Sequence, residues 1–195
     1  MKTRTIATHA AVVGILTLSL GFVFLAEPLR ARYEVARLEV APNEEVEAQA
    51  QAVAQIGAPA IPFVIRIMKG DELASRNGGA ALAQMLERAD EDEKLAQQIL
   101  HALAESFRNL SPTGRVWALT LARTSGRVHA TTNEDCRRIA NAGLLDADPK
   151  IRLEAIVVAA QLQMWHEELI TRLFADPNEH VRRAAFSTFG NRSED

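Results

Sequence analysis

The chain has 195 residues, 48% of them apolar but only 5% aromatic, with Cys136 as its one cysteine. That length holds an N-terminal targeting segment and one domain of about 150 residues, and excludes a second large domain. A formal charge of −3, with Lys and Arg interspersed among Asp and Glu, gives no field that attracts nucleic acid, and the lone cysteine excludes an internal disulfide.

Lys2 and Arg4 precede an uncharged stretch, Thr5 to Ala26, dominated by Val, Leu, Ile, Ala and Phe and ended by Glu27 and Pro28. At about 1.5 Å per residue it reaches roughly 33 Å as a helix, enough to cross a hydrocarbon layer of about 30 Å. The rival reading is a cleaved signal peptide, whose apolar region is shorter and ends at a small-x-small site. A cut after Ala26 would put Phe24 at the outer small position, and a cut after Gly21 would leave Phe22 to Leu25 at the new terminus. The expectation is therefore a transmembrane anchor at 5–26 behind a short basic tail, 1–4. Arg30, Arg32 and Arg37 on the far side balance the near-side charges. The basic start places the following domain on the extracytoplasmic, periplasmic side. Ala7, Ala10, Gly14, Thr17 and Gly21 recur at spacings of 3, 4, 3 and 4. They form either a stripe for packing against another membrane helix or a chance run of residues common in such helices. His9 lies near the interface, where reaching headgroups or water is the plainer reading.

Residues 27–42 read as a charged connector, and 43–190 as short helices interrupted by Pro, Gly and Asp clusters. The segment LLDADPKIRLEAIVVA from Leu144 aligns without gaps on FADPNEHVRRAAFSTF from Phe174, an offset of 30 residues. Asp146, Ile151, Arg152 and Ala155 thereby correspond to Asp176, Val181, Arg182 and Ala185. A fixed period of this size marks a helical repeat, in which each unit buries its apolar face against its neighbours. Asp and Pro turn the chain and start a helix. Ile151 or Val181 opens the buried stripe, and Ala155 or Ala185 permits close approach one turn later. Arg152 or Arg182 has the reach to bond carbonyls or a capping Asp of the next unit.

This combination resembles the first helix of HEAT repeats, particularly the short bacterial, phycobilisome-lyase-like kind. The stretch IGAPAIPFVIRIMKGDELASRNGGAALAQM from Ile56 is similar to the family's Gly-x-Pro-x-Ile-Pro passage into a second helix and its acidic turn into the next repeat. The resemblance implies an all-α fold, an α-solenoid of four to five pairs. Its helices fall at about 43–56 and 59–69, 71–88 and 91–107, 112–124 and 132–145, and 149–162 and 165–174, with a lone helix at about 178–189. Ser75, Arg76 and Asn77 followed by Gly78 and Gly79 depart from the pattern and are expected to weaken their helix, since Gly costs about 1 kcal/mol there. The connection from Ser125 to Asn133 is unusually long. Arg182, Arg183, Asn191, Arg192 and Glu194 supply polar cover for a terminal cap, and 191–195 form a polar tail.

No catalytic, cofactor or metal constellation rises above background. His101 and Glu105 stand at i, i+4 without a third ligand. His166, Glu167 and Glu168 lack the second His of a zinc-protease helix, since Ile170 stands there. Asp90, Glu91, Asp92 and Glu93 lack the glycine and closing Glu of a calcium loop, and suit a helix start. Cys136 beside His129 reads as a small apolar residue more readily than as a nucleophile. Trp117 and Trp165 are expected in the core. Arg66, Lys69, Arg137, Arg138 and Arg172 lie on predicted second helices, which in the HEAT family line the concave face. They are the candidate partner-binding residues, although scattered solvated charge accounts for each taken singly.

The expected function is non-catalytic: a membrane-anchored scaffold, or an accessory or assembly subunit, binding a protein partner that belongs to a membrane complex. No small-molecule substrate is expected. The alternatives are a chromophore-handling enzyme resembling the phycobilin lyases, which the scarcity of aromatic residues argues against, and a secreted soluble binding protein.

Overall fold

The computed structural model describes residues 26–89, 92–126, 133–164 and 166–190, which are helical throughout with no strand among them. The expected anchor up to Leu25, its small-residue stripe (Ala7, Ala10, Gly14, Thr17, Gly21), His9, Asp90, Glu91, His129, Trp165 and the tail 191–195 lie outside them. Among the described residues no single helix is long and apolar enough to cross a membrane.

The first helix, α1, spans 26–39, within the stretch read as a charged connector at 27–42. Ala31, Val35 and Leu38, spaced i, i+4, i+7, are each fully buried, so one stripe of this charged segment joins the core. The remaining helices lie within about two residues of their predicted positions. They are α2 (Asn43–Ile56), α3 (Ile61–Ile67), α4 (Glu72–Arg88), α5 (Glu93–Ser106), α6 (Pro112–Ser125), α7 (Asn133–Leu144), α8 (Pro149–Gln161), α9 (Glu167–Phe174) and α10 (Glu179–Phe189). A short 3-10 turn, Ala58–Ala60, leads into α3, and another, Phe107–Asn109, extends α5.

The helix starts follow from their capping residues. Asp71, Asp92, Ser111, Asp148 and Asn178 each accept a backbone N–H from the first turn of α4, α5, α6, α8 and α10. Each such cap stabilises its helix by about 1 kcal/mol. Gly57 ends α2 at φ 72°, a conformation a side chain rarely adopts, and the chain turns there by 113° into the next helix.

Alternate helices lie side by side. In one row α2 packs on α4, α4 on α6, α6 on α8 and α8 on α10, while in the other α3 packs on α5 and α5 on α7. Consecutive helices from α3 to α8 close the space between the rows, and α9 rests on α10. The shared interior is aliphatic, with Leu38, Ile67, Leu82, Ile99, Leu103, Leu119, Ile139 and Ile151 buried around Phe107. Each fully buried side chain of this size stabilises the fold by roughly 1.5–3 kcal/mol relative to exposure. Gly143 faces Ala155 so closely that an added Cβ would lie 2.8 Å from the Ala155 methyl, which is how α7 and α8 approach each other.

The helix predicted at 71–88 is α4, which runs unbroken through Ser75–Gly79. Those residues have tertiary partners that outweigh their low helix propensity. Asn77, fully buried, donates to the carbonyls of Leu38 (2.9 Å) and Ala41 (3.0 Å), capping the end of α1. Ser75 donates to the Met68 carbonyl and lies 2.6 Å from the Ser111 hydroxyl. Gly78 and Gly79 leave room for Met68 and for the Trp117 ring, which an added Cβ would meet at 2.8 and 2.3 Å.

Candidate interaction groove

Four positions after the caps of α4, α6 and α8, a side chain reaches the turn before the next helix but one. Ser75 meets Ser111, Arg115 Nη1 lies 2.9 Å from Asp146, and Arg152 grips Asp176 with two bonds of 2.8 Å. Arg152 also donates to the carbonyls of Asp146 and Ala147, and Arg182 repeats this on Asp176 and Pro177. Of the bonds expected, Arg152 makes both the carbonyl and the carboxylate kind, and Arg182 the carbonyl kind within its own turn. Burial pushes the Asp176 carboxyl up, but the Arg152 hydrogen bonds, the Asn178 N–H and the charges of Arg152 and Arg182 outweigh it and hold the carboxyl below its usual range.

Beside this ladder lie two open depressions. One, of about 330 Å³, is bounded by Arg172 and Leu173 of α9 and by the Arg152–Asp176 pair. The other, of about 490 Å³, is bounded by Glu105, Arg108, Arg138 and Asn141 at α5 and α7. Leu145 lines both and is 49% exposed, which makes it an apolar ridge between them. Helix α7 ends at Leu144, and the depression beside α9 lies between the turn that follows and α9, which rests on α10.

Of the five arginine and lysine candidates, Arg138 and Arg172 line these depressions and Arg66, Lys69 and Arg137 do not. Arg66 and Lys69 are exposed at α3. Arg137 is turned about 100° from Arg138 on α7. It donates instead to Asn133 (3.0 Å) and to the Leu162 carbonyl (3.2 Å). Arg138 is held by Glu105 and by Asp135 at 2.9 Å, which lowers the Glu105 carboxyl and raises the Arg138 guanidinium. His101 Nδ1 lies 3.5 Å from Asp135, so His101 and Glu105 are spent on surface pairing. Arg108 and Arg172 carry no ion pair among the described residues, which leaves them the uncommitted cations of the groove. Leu145 and Arg108 were not legible as site residues; the one signal was a large apolar side chain just beyond a helix end, ahead of the Asp turn.

Cys136 is buried on α7. Among the described residues no group of three His, Cys, Asp or Glu side chains is arranged to hold a metal ion. Asp92 and Glu93, from the acidic run, sit at the cap and first turn of α5. Compared with models of protein families and with curated proteins, the chain matches none.

Proposed function

We propose that this protein is a membrane-anchored, non-catalytic interaction scaffold: a HEAT-like α-solenoid that holds a protein partner along its row of second helices. The observation that carries this reading is Leu145, an exposed leucine on the ridge between two depressions, flanked by the uncommitted Arg108 and Arg172. An apolar anchor point ringed by polar groups is the usual anatomy of a docking surface. The charges favour a partner segment that presents an apolar side chain between carboxylates. Side-by-side packing of alternate helices supports the solenoid reading, and the apolar stretch 5–26 supports the anchor. On this reading the partner belongs to a membrane complex on the extracytoplasmic side.

The test is capture from mildly solubilised membranes by the intact chain, with a photo-crosslinking side chain at position 145. A defined partner is expected to crosslink to the wild-type groove and to be lost from Arg108→Glu and Arg172→Glu variants. A chain that crosslinks to nothing, or retains its partner in both variants, overturns the assignment.

A further inference from the structure

Helix α1 has two apolar faces, and the fold uses only one. With 3.6 residues per turn, Leu29, Tyr33, Ala36 and Val40 fall on the side opposite the buried stripe of Ala31, Val35 and Leu38. They are exposed: Leu29 is 63%, Tyr33 61% and Val40 73% accessible. Few large apolar side chains are this open, and α1 with its following turn carries the three most exposed of those described. Around the helix the exposed Arg30 and Arg37 flank the open stripe on one side, and the exposed Arg32 with the half-buried Glu39 on the other. Glu34 lies closer to the buried face, where its side chain is 18% accessible and 3.7 Å from Arg37. The Arg37 guanidinium stands 5.9 Å from the centre of the Tyr33 ring.

We propose that this outward face of α1 lies in the headgroup layer of a bilayer containing anionic phospholipid, so that α1 is held between the membrane and the helical domain. An apolar stripe edged by arginines is the arrangement of helices that lie in the interfacial plane. Tyr is favoured at that depth because its ring is apolar and its hydroxyl wet. Each arginine near an anionic surface adds attraction. Connectivity points the same way, because the uncharged stretch 5–26 ends where α1 begins. Pro28 stands in the first turn of α1, where its missing N–H leaves no helical bond unmade. Asn77 then fixes the other end of α1 to α4, so the bilayer orients the groove-bearing domain as well as tethering it.

The proposal rests on the anchor reading for delivery of α1 to the membrane, and the experiment separates the two. The full chain carrying Ala36→Cys is labelled with an environment-sensitive fluorophore; Cys136 is buried, which directs labelling to the introduced thiol. A second chain is labelled at Glu154→Cys on the exposed side of α8. Each is reconstituted in vesicles of phosphatidylcholine, alone or mixed equally with phosphatidylglycerol, with a quencher on the lipid headgroup. The expected result is blue-shifted, quenched emission at position 36, strongest in the anionic vesicles, and aqueous emission at 154. Replacing Arg30, Arg32 and Arg37 by Gln is expected to reduce quenching by roughly half or more, as is Leu29→Glu with Tyr33→Glu. A chain that floats with vesicles but shows aqueous, unquenched emission at 36 overturns the docking and leaves the anchor standing. Emission shielded from water but not quenched by lipid, and rising with protein density, assigns the face to a second copy and overturns the proposal. A chain that does not float overturns both readings.

Discussion

Arg152 donates from Nε and Nη2 to the two carboxylate oxygens of Asp176, at 2.8 Å each, and so ties α8 to the turn before α10. Both side chains are nearly buried, at 11% and 8% accessible, and the remaining Arg152 nitrogen is used by the carbonyls of Asp146 and Ala147. A pair of this kind is costly to break from one side, because the abandoned charge keeps its desolvation penalty.

Asp176→Asn is therefore expected to destabilise the chain by about 3 kcal/mol, read as a lower urea midpoint with unchanged slope. Replacing Arg152 by Met in the same background should recover part of that loss, because it removes the orphaned cation. A double variant no more stable than Asp176→Asn alone would show that the pair does not act as a unit.

The same carboxylate gives an acid dependence. Its folded-state pKa lies below the unfolded value of about 3.9, so its contribution is complete above that pH and is lost as pH falls through the lowered folded value. Wild-type stability is expected to fall more steeply below about pH 4 than that of Asp176→Asn, whose amide does not titrate. Parallel pH profiles would contradict this.

Gly79→Ala places a methyl group 2.3 Å from the Trp117 ring, a rigid neighbour that must move. The gain in helix propensity, about 1 kcal/mol, opposes an overpacking cost of about 1–3 kcal/mol, so a net loss is expected with altered Trp emission. Gly190→Ala is the control, since its Cβ would meet Phe186 at an ordinary 3.8 Å. Its stability should be unchanged or raised by about 0.5 kcal/mol.

Asn77→Ala removes the two bonds that hold the end of α1, leaving the buried Leu38 and Ala41 carbonyls without that donor. A loss of about 1–3 kcal/mol is expected. Faster amide exchange should be concentrated in 31–41. Uniform acceleration across the domain would mean that α1 is not held locally by this residue.

Leu145→Asp is exposed enough to leave the fold intact, with an expected stability change within about 0.5 kcal/mol, yet it puts a carboxylate on the ridge of the groove. Thermal unfolding and partner crosslinking measured on the same preparation separate the two effects. Lost crosslinking at unchanged melting temperature is the expected outcome.

What the residue order determined is the local grammar. Asp71, Asp92, Ser111, Asp148 and Asn178 at helix starts, apolar stripes at helical spacing, and the Asp–Ile/Val–Arg–Ala recurrence each act within a few residues, so the helices were legible with their bounds. The reach of Arg152 and Arg182 toward a turn was legible too, because the repeat places the same Asp ahead of them. What tertiary structure decided is everything that depends on which helices become neighbours. The charges at Arg30, Arg32, Glu34, Arg37 and Glu39 hid the short buried stripe of α1, which has meaning only once α4 brings Asn77 to its end. Ser75 to Gly79 read as a weak helix because their partners, Met68, Ser111 and Trp117, lie on other elements. The groove followed the same rule: Arg137 and Arg138 are adjacent in sequence, but one turns to Leu162 and the other to Glu105, and only the fold brings Arg108 and Arg172 to the two depressions that Leu145 lines. Propensity and spacing are short-range properties of the chain, whereas burial and charge partnership belong to pairs of elements distant along it.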